Sequence, residues 1–557
     1  MQQSRLFLAI ALSFLVFFLW ETFFVEREPL VQNNNTIQSN SIDEPTKIAD
    51  NKIDFSNKEK QIDYNAYDKD SSNLSQNKPR IITVNTPLYS VQISEKGAVF
   101  ENFILKKFKE TGAQDSPELQ LFSASSGQGT VQTQFAGDNI SCFENSFFQA
   151  DISNDIIDII DSSFEILFTW KSQSGLVIEK RFLFSPETYL ISLDIAINNT
   201  SNMPVKGALM LSLLSELPEE DAAGYAFEGP SAYINNKLEQ IKTKNLKDKN
   251  LFDGIFSWIA LENRYFASAI IPDNAASARM QIKLGQDNVL KSTYIQTIDS
   301  LKFGEKHISS FHLFFGPKKI GILPESGYHL DKIVNFGMFD FLAKPCLYLM
   351  NFLYKFIPNY GFAIIILTIL IKLILWPLGS KSYKSMAEMK KLQPLMTKIR
   401  EKYKNDKQKM NQEVMGLYKT YKVNPLGGCL PMIVQIPIFF AFYRMLYQAI
   451  ELRHAPFIWW IKDLSAPDRL FSFNFTIPFM EPPYGIPVLT VIMGGTMFLQ
   501  QKMSPPMGDP AQAKIMLFMP IIFTVIFINF SSGLVLYWLI NNILSISQQY
   551  YIQKQHI

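Results

Sequence analysis

A chain of 557 residues with a formal charge of +2 and 19% charged side chains is too long for one ordinary core and too weakly basic for a nucleic-acid binder. Its three cysteines, Cys142, Cys346 and Cys429, lie far apart and form no CxxC, which excludes a disulfide framework and a zinc site and leaves small unpaired apolar residues. The histidines offer no ligand set: His307 and His312 are an odd number apart on an expected strand and point to opposite faces.

The first element is an apolar run, Leu6 to Phe24 (LFLAIALSFLVFFLWETFF), long enough for a hydrocarbon layer of ~30 Å. Arg5 precedes it and Glu26 and Glu28 follow, so the positive-inside bias predicts a cytoplasmic N-terminus. The residues WETFFVERE contain no small-x-small cleavage site, and residues 1–25 read as an uncleaved signal anchor. Residues 26–79 are rich in Asn, Ser, Asp and Lys and read as a disordered polar tether.

Residues 80–325 alternate like a soluble β domain. In YLISLDIAINN, Tyr189, Ile191, Leu193, Ile195 and Ile197 share one face, and Ser192, Asp194 and Asn198 the other. Turn signals such as SEKGA, KSQSG and FSPET separate similar runs. Two packed antiparallel sheets suit so many short strands. No pair of carboxylates assigns itself as acid and base, and no G-x-S-x-G, phosphate-binding glycine loop or H-E-x-x-H occurs. The domain reads as a scaffold or docking module, with sugar chemistry as the alternative.

From residue 326 the character changes. Residues 326–358 are apolar but broken by Asp340, Lys344 and Lys355, the pattern of an interfacial amphipathic helix on the outer surface. Five candidate spans follow: Tyr360 to Trp376, Leu430 to Tyr447, Ile486 to Leu499, Ile515 to Phe530 and Leu534 to Tyr551. The first lies in residues 359–378 and the other four in residues 426–552, before a short tail at 553–557. The third and fourth candidates fall short of the ~20 residues that span a bilayer comfortably, and a locally thinned membrane would match them.

Between them, Gly379 to Asn424 holds twelve Lys and Arg against four acidic residues and is predicted to be cytoplasmic. Met389, Leu392, Met396, Ile399 and Tyr403, then Met410, Val414, Leu417 and Tyr421, make helical seams either side of KNDKQ. Residues 379–425 therefore read as a basic helical hairpin, with a kink at Pro394. It serves as a docking arm for nascent chains or ribosomes, or simply as solvated positive-inside charge.

Lys372, in LTILIKLILWPLGSKS, is a lone cation inside the first of the five spans. At ~1.5 Å per residue it lies ~7 Å above Pro377, close enough for its stem to snorkel to headgroups. Against that reading, Thr368 is one turn earlier on the same face, Gln435 lies in the next span, and Asn541, Asn542, Ser545 and Ser547 lie in the last. Polar groups on three spans are costly against lipid, and together would line one wet groove around Lys372.

The stretches GGCLPMIVQIPIFFAFYRMLYQAIELRHAPF, WIKDLSAPD, TMFLQQKMSP, KIMLFMPIIFTVIFINFSSGLVLYW, WPLGSKSYKSMAEMKKLQP and SWIALENRYFASAIIP resemble the YidC/Oxa/Alb membrane protein insertases of the Gram-negative type. The resemblance covers nearly the whole chain outside the tether. It implies a polytopic α-helical membrane protein with six transmembrane helices, whose five-helix core encloses a hydrophilic groove open to the cytoplasm, and an all-β periplasmic super-sandwich.

It implies a bacterial inner-membrane location with both termini cytoplasmic, and insertion and chaperoning of membrane proteins both with and without the Sec translocon. It implies no cofactor, no ATP use and no catalytic role. The implied partners are nascent membrane proteins, SecYEG, SecDF, membrane lipids and, weakly, the ribosome. The family's groove positions fall on Lys372, Thr368, Gln435, Trp538 and Ser545. Two departures stand out: lysine replaces the usual arginine and lacks its bidentate fork, and Trp538 stands where tyrosine is common. The outer-loop stretch FSFNFTIPFMEPPYG is a third. An anion transporter using Lys372 is the rival reading, although no internal repeat of the transporter kind is visible.

Overall fold

Alternation decides the first half of the chain. In the strand Leu190–Asn199, Ile191, Leu193, Ile195 and Ile197 are fully buried while Ser192 and Asp194 are half-exposed. This strand pairs antiparallel with Lys306–Pro317 on one side and Leu176–Phe184 on the other. The computed structural model of the chain describes residues 79–556, except 125–128, 138–142, 144, 174, 217–225, 248, 286–287, 422, 424–429 and 505–509. The expected signal anchor, the tether up to residue 78, Cys142 and Cys429 lie outside the described residues.

The described strands of this half form a five-stranded and a thirteen-stranded sheet. Rings from both sheets lock them together: Phe103 stacks on Phe315 at 4.9 Å, and Phe100 meets Phe315 at 5.7 Å and Phe182 at 5.3 Å. Each such fully buried ring contributes ~1.5–3 kcal/mol. One pairing is not antiparallel. The short strand Ile156–Asp158 lies parallel to Ile81–Asn85, because the chain re-enters the small sheet at its edge after visiting the large one, with no hairpin to reverse it.

The second half is helical. Two 3-10 turns, Leu330–Ile333 and Gly337–Phe339, precede helix α1 (Asp340–Phe356). The expected 326–358 helix therefore begins only at Asp340. The side chains of Asn335 and Asp340 hold the preceding turn by accepting from Gly337 N (2.7 Å) and Phe336 N (3.0 Å). Ala343, Leu347 and Met350 bury one stripe of α1, while Phe341, Tyr348, Phe352 and Phe356 are exposed on the other.

Helix α2 (Tyr360–Ile374) is capped by Asn359, whose Oδ1 accepts from Gly361 N and Phe362 N. Helix α3 (Trp376–Lys402) follows after a 66° bend. Pro377, just inside α3, has no N–H and crowds the carbonyl four residues back, which breaks the run there. Pro394 lies inside α3, which continues on both sides of it. Asp406 caps helix α4 (Lys407–Thr420) through Lys409 N at 3.0 Å. The two pack through Met389, Leu392 and Leu417, with Tyr418 Oη on Met396 Sδ at 3.4 Å.

Then come α5 (Leu430–Gln448), α6 (Val488–Met503), α7 (Pro510–Phe527) and α8 (Ser532–His556). Residues 553–556, read from sequence as a tail, continue α8. Among the described residues no single helix is long and apolar enough to cross a membrane. The bent pair α2–α3 meets that test together, and Met516–Phe527 is a shorter apolar helix. Interruptions explain this: α2 has 15 residues before its bend, and α8 is threaded with polar side chains.

The β domain is seated on the helical half rather than tethered to it. Buried apolar side chains run as one cluster from Ile82 through Leu330 and Phe336 to Ile364, Leu452 and Leu534. At the seam, Arg264 Nε donates to Tyr447 O at 2.8 Å and its guanidinium lies 3.7 Å from the Tyr447 ring centre. Arg453 Nη2 donates to Glu110 O at 3.0 Å. Arg264→Ala is expected to cost ~2 kcal/mol, since the cation–π contact is partly desolvated. Thermal unfolding in detergent and trypsin cleavage at Lys318 and Lys319 would both register it.

Glu451 sits at the same seam. Its Oε1 accepts from Asn351 Nδ2 at 3.3 Å and its Oε2 accepts no hydrogen bond from the described residues. Burial holds its carboxyl above the usual carboxylate range. The folded state therefore keeps a proton that the unfolded state has already lost. Stability is greatest below the unfolded pKa and falls as pH rises towards the folded one. Glu451→Gln is expected to raise the Tm at neutral pH and to flatten this dependence in a pH series of melts.

Candidate functional site

Helix α2 places Thr368 and Lys372 one turn apart, and α8 places Trp538 and Ser545 two turns apart. Lys372 is half-buried and turns towards α8: its Nζ donates to Ser545 Oγ at 2.6 Å. Ser545 in turn donates to Asn541 O at 2.7 Å and meets the Tyr383 hydroxyl from α3. Among the described residues no carboxylate pairs with Lys372. A half-buried cation with a neutral hydroxyl as its side-chain partner keeps attraction to spare for an arriving anion.

The other sequence-derived positions are near the same helices but are not bonded to Lys372. Thr368 is 2% exposed and spends its hydroxyl on Ile364 O of its own helix, at 2.7 Å. Gln435 on α5 meets the Tyr537 hydroxyl. The Trp538 ring is surrounded by rings, at 4.6 Å from Phe439, 4.7 Å from Phe527 and 6.3 Å from Phe523. The five residues thus fall into a Lys372–Ser545 pair, a Gln435–Tyr537 pair, an aromatic cluster at Trp538, and Thr368 satisfied within α2.

On either side of Ser545, further residues extend the polar seam of α8. Asn542, Ser545, Gln548, Gln549 and Gln553 are all buried, at 3%, 2%, 1%, 0% and 8% exposure. Asn542 Nδ2 donates to Thr496 Oγ1 at 3.3 Å, Gln553 Nε2 to Met503 O at 3.2 Å, and Gln548 Nε2 to Trp376 O at 3.0 Å and Ser380 Oγ at 3.2 Å. Both amide atoms of Gln549 lack a partner among the described residues. The signal for this row was in the sequence: polar residues at helical spacing on one face of an otherwise apolar segment.

Residues 352–557 match the family model described as 60Kd inner membrane protein, and residues 81–349 the one described as YidC periplasmic domain. The membrane protein insertase YidC of Syntrophus aciditrophicus is 43% identical over 483 residues, 86% of each chain. The chain belongs to the YidC family of membrane protein insertases. The YidC of Pelobacter propionicus is 37% identical over 558 residues, 99% of each chain. A crystal structure described as an active YidC insertase with its first transmembrane domain resolved is 18% identical, covers 85% of this chain and 93% of its own, and superposes with a TM-score of 0.36. As a YidC relative, the chain is an inner-membrane protein with a periplasmic domain, in a family of insertases rather than catalysts.

Proposed function

We propose that this chain inserts nascent membrane proteins into the inner membrane through a hydrophilic groove between α2, α5 and α8, without ATP. The observation that carries the reading is the orientation of Lys372 onto Ser545, with no carboxylate partner among the described residues. An apolar segment with a short acidic tail enters from the cytoplasm. Lys372 attracts the tail, and the polar row from Asn542 to Gln553 spares it part of its desolvation cost. The apolar segment then moves sideways into lipid and gains hydrophobic free energy. At ~1.5 Å per residue, the 16 residues of α6 reach ~24 Å against a layer of ~30 Å, which favours thinning at this site.

In this reading five spans, built on α2, α5, α6, α7 and α8, form the core, and an N-terminal anchor makes six. Both termini are cytoplasmic, and the α3–α4 hairpin faces the ribosome. SecYEG and SecDF are its partners for multispanning substrates. Reconstitution of the purified chain alone tests the proposal. Protease-protected insertion of a small acidic-tailed, single-span protein is expected. Failure with a competent substrate, together with anion flux across the same vesicles, would favour a transporter and sink the insertase reading.

A further inference from the structure

The outer loop between α5 and α6 contains an uncharged stretch, Leu470 to Met480 (LFSFNFTIPFM), flanked by Arg469 and Glu481. Strands Leu470–Phe473 and Tyr484–Ile486 pair across it. Arg469 fixes the base, with Nε donating to Pro483 O and Nη1 donating to Asp468 O and Ile528 O, all at 2.8 Å. Asn529 Nδ2 donates to Phe479 O at 3.1 Å, and Pro467 bridges Ser531. The hairpin is therefore held rigidly where α6 begins, α7 ends and α8 begins.

Its rings do not pack inward. Phe471, Phe475 and Phe479 are 68%, 63% and 80% exposed, and Trp459 in the adjoining turn is 83% exposed. Trp459, Phe471 and Phe479 also have φ of 53°, 59° and 64°, the left-handed region that bulky residues avoid. Surrounding bonds thus hold strained backbone in place with its rings turned outwards, a combination that marks functional segments. Ile486 just before α6, Val491 and Ile492 in its first turns and Ile526 near the end of α7 are exposed as well. In an inner-membrane protein these faces meet lipid. Aromatic rings interspersed with Ser472, Asn474 and Thr476 match the headgroup boundary, where an apolar body and a polar edge are both satisfied.

We propose that this hairpin is a membrane-interface anchor that seats Phe471, Phe475, Phe479 and Trp459 in the outer leaflet, with lipid rather than a protein as its ligand. It fixes the depth of α6 and α7 from their outer ends. The inference rests on the six-span topology proposed above, in which this loop, after an even number of further crossings from the β domain, lies on the outer side.

The test uses the full chain with Cys142, Cys346 and Cys429 replaced by serine and an environment-sensitive NBD probe at Asn474→Cys, which leaves every aromatic in place. The chain is reconstituted alone in phosphatidylethanolamine–phosphatidylglycerol vesicles, with Phe303→Cys in the β domain (67% exposed) as control. The expected result is blue-shifted emission at Asn474→Cys, strong quenching by shallow nitroxide lipids and weak quenching by iodide. The control shows the reverse. Phe471→Ser/Phe475→Ser/Phe479→Ser is expected to abolish the lipid quenching. A probe as open to iodide as the control overturns the proposal and leaves protein docking as the use of the rings. Dithionite, which does not cross the bilayer, reports sidedness separately. Bleaching of the two probes from opposite faces overturns the outer-leaflet assignment through the topology beneath it, whatever the lipid contact.

Discussion

Lys372→Ala is expected to lower insertion of an acidic-tailed substrate by ~5- to 30-fold, while Lys372→Arg keeps it near wild type. A carboxylate ~8 Å away at an effective dielectric of ~20–40 is attracted by ~1–2 kcal/mol, and that sets the factor. Ser545→Ala removes the side-chain acceptor of the Lys372 amine but leaves the charge, so its effect is expected to be the smaller. Initial rates of protease protection in vesicles measure all three. Equal rates for alanine and wild type would show that the amine serves headgroups and that the neutral polar row of α8 carries the passage. Loss of activity in Lys372→Arg would show that a compact ammonium, rather than charge alone, is required.

Gly494→Ala is expected to destabilise the helical half by ~1–3 kcal/mol, the usual cost of overpacking. A Cβ at Gly494 on α6 would stand 2.1 Å from Thr524 Oγ1 on α7, with Thr524 Cβ at 3.2 Å. Thr524 cannot turn away freely, because its hydroxyl donates to Pro520 O at 2.7 Å. Adding Thr524→Ala removes the clashing oxygen and is expected to recover most of the loss. The melting temperatures of the two single variants and the double variant in detergent form the cycle that isolates this contact. Additive losses would mean that the two helices do not touch here.

Patterns with a short period were legible in the sequence, and contacts across long separations were not. The alternation in YLISLDIAINN is the burial seen in Leu190–Asn199, because a sheet with one buried face demands it. Lys372 is conspicuous in the sequence because a lone charge in an apolar helix violates the local rule. Pro377 marks a break but not its angle: nothing in the spacing gives the 66° bend, the meeting of Tyr383 with Ser545, or the bond from Gln548 to Trp376, 172 residues away. The family resemblance makes Trp538 a groove position, but it does not name the rings beside it, Phe439, Phe523 and Phe527. An aromatic side chain says little by itself about which of its neighbours it will choose.

The bend has a mechanical consequence. Leu375 is a fulcrum between two arms of unequal length. Lys372 sits three residues along the short arm, ~5 Å from the fulcrum, while the 27 residues of α3 make a long arm of ~40 Å. Gln548 pins the elbow itself to α8 through Trp376 and Ser380. Further along, Tyr383 and Met386 pack with Ile552 of α8, so the first three turns of α3 are clamped beyond the elbow. Any movement of the basic hairpin is thereby confined to its distal turns, away from the charge at its root.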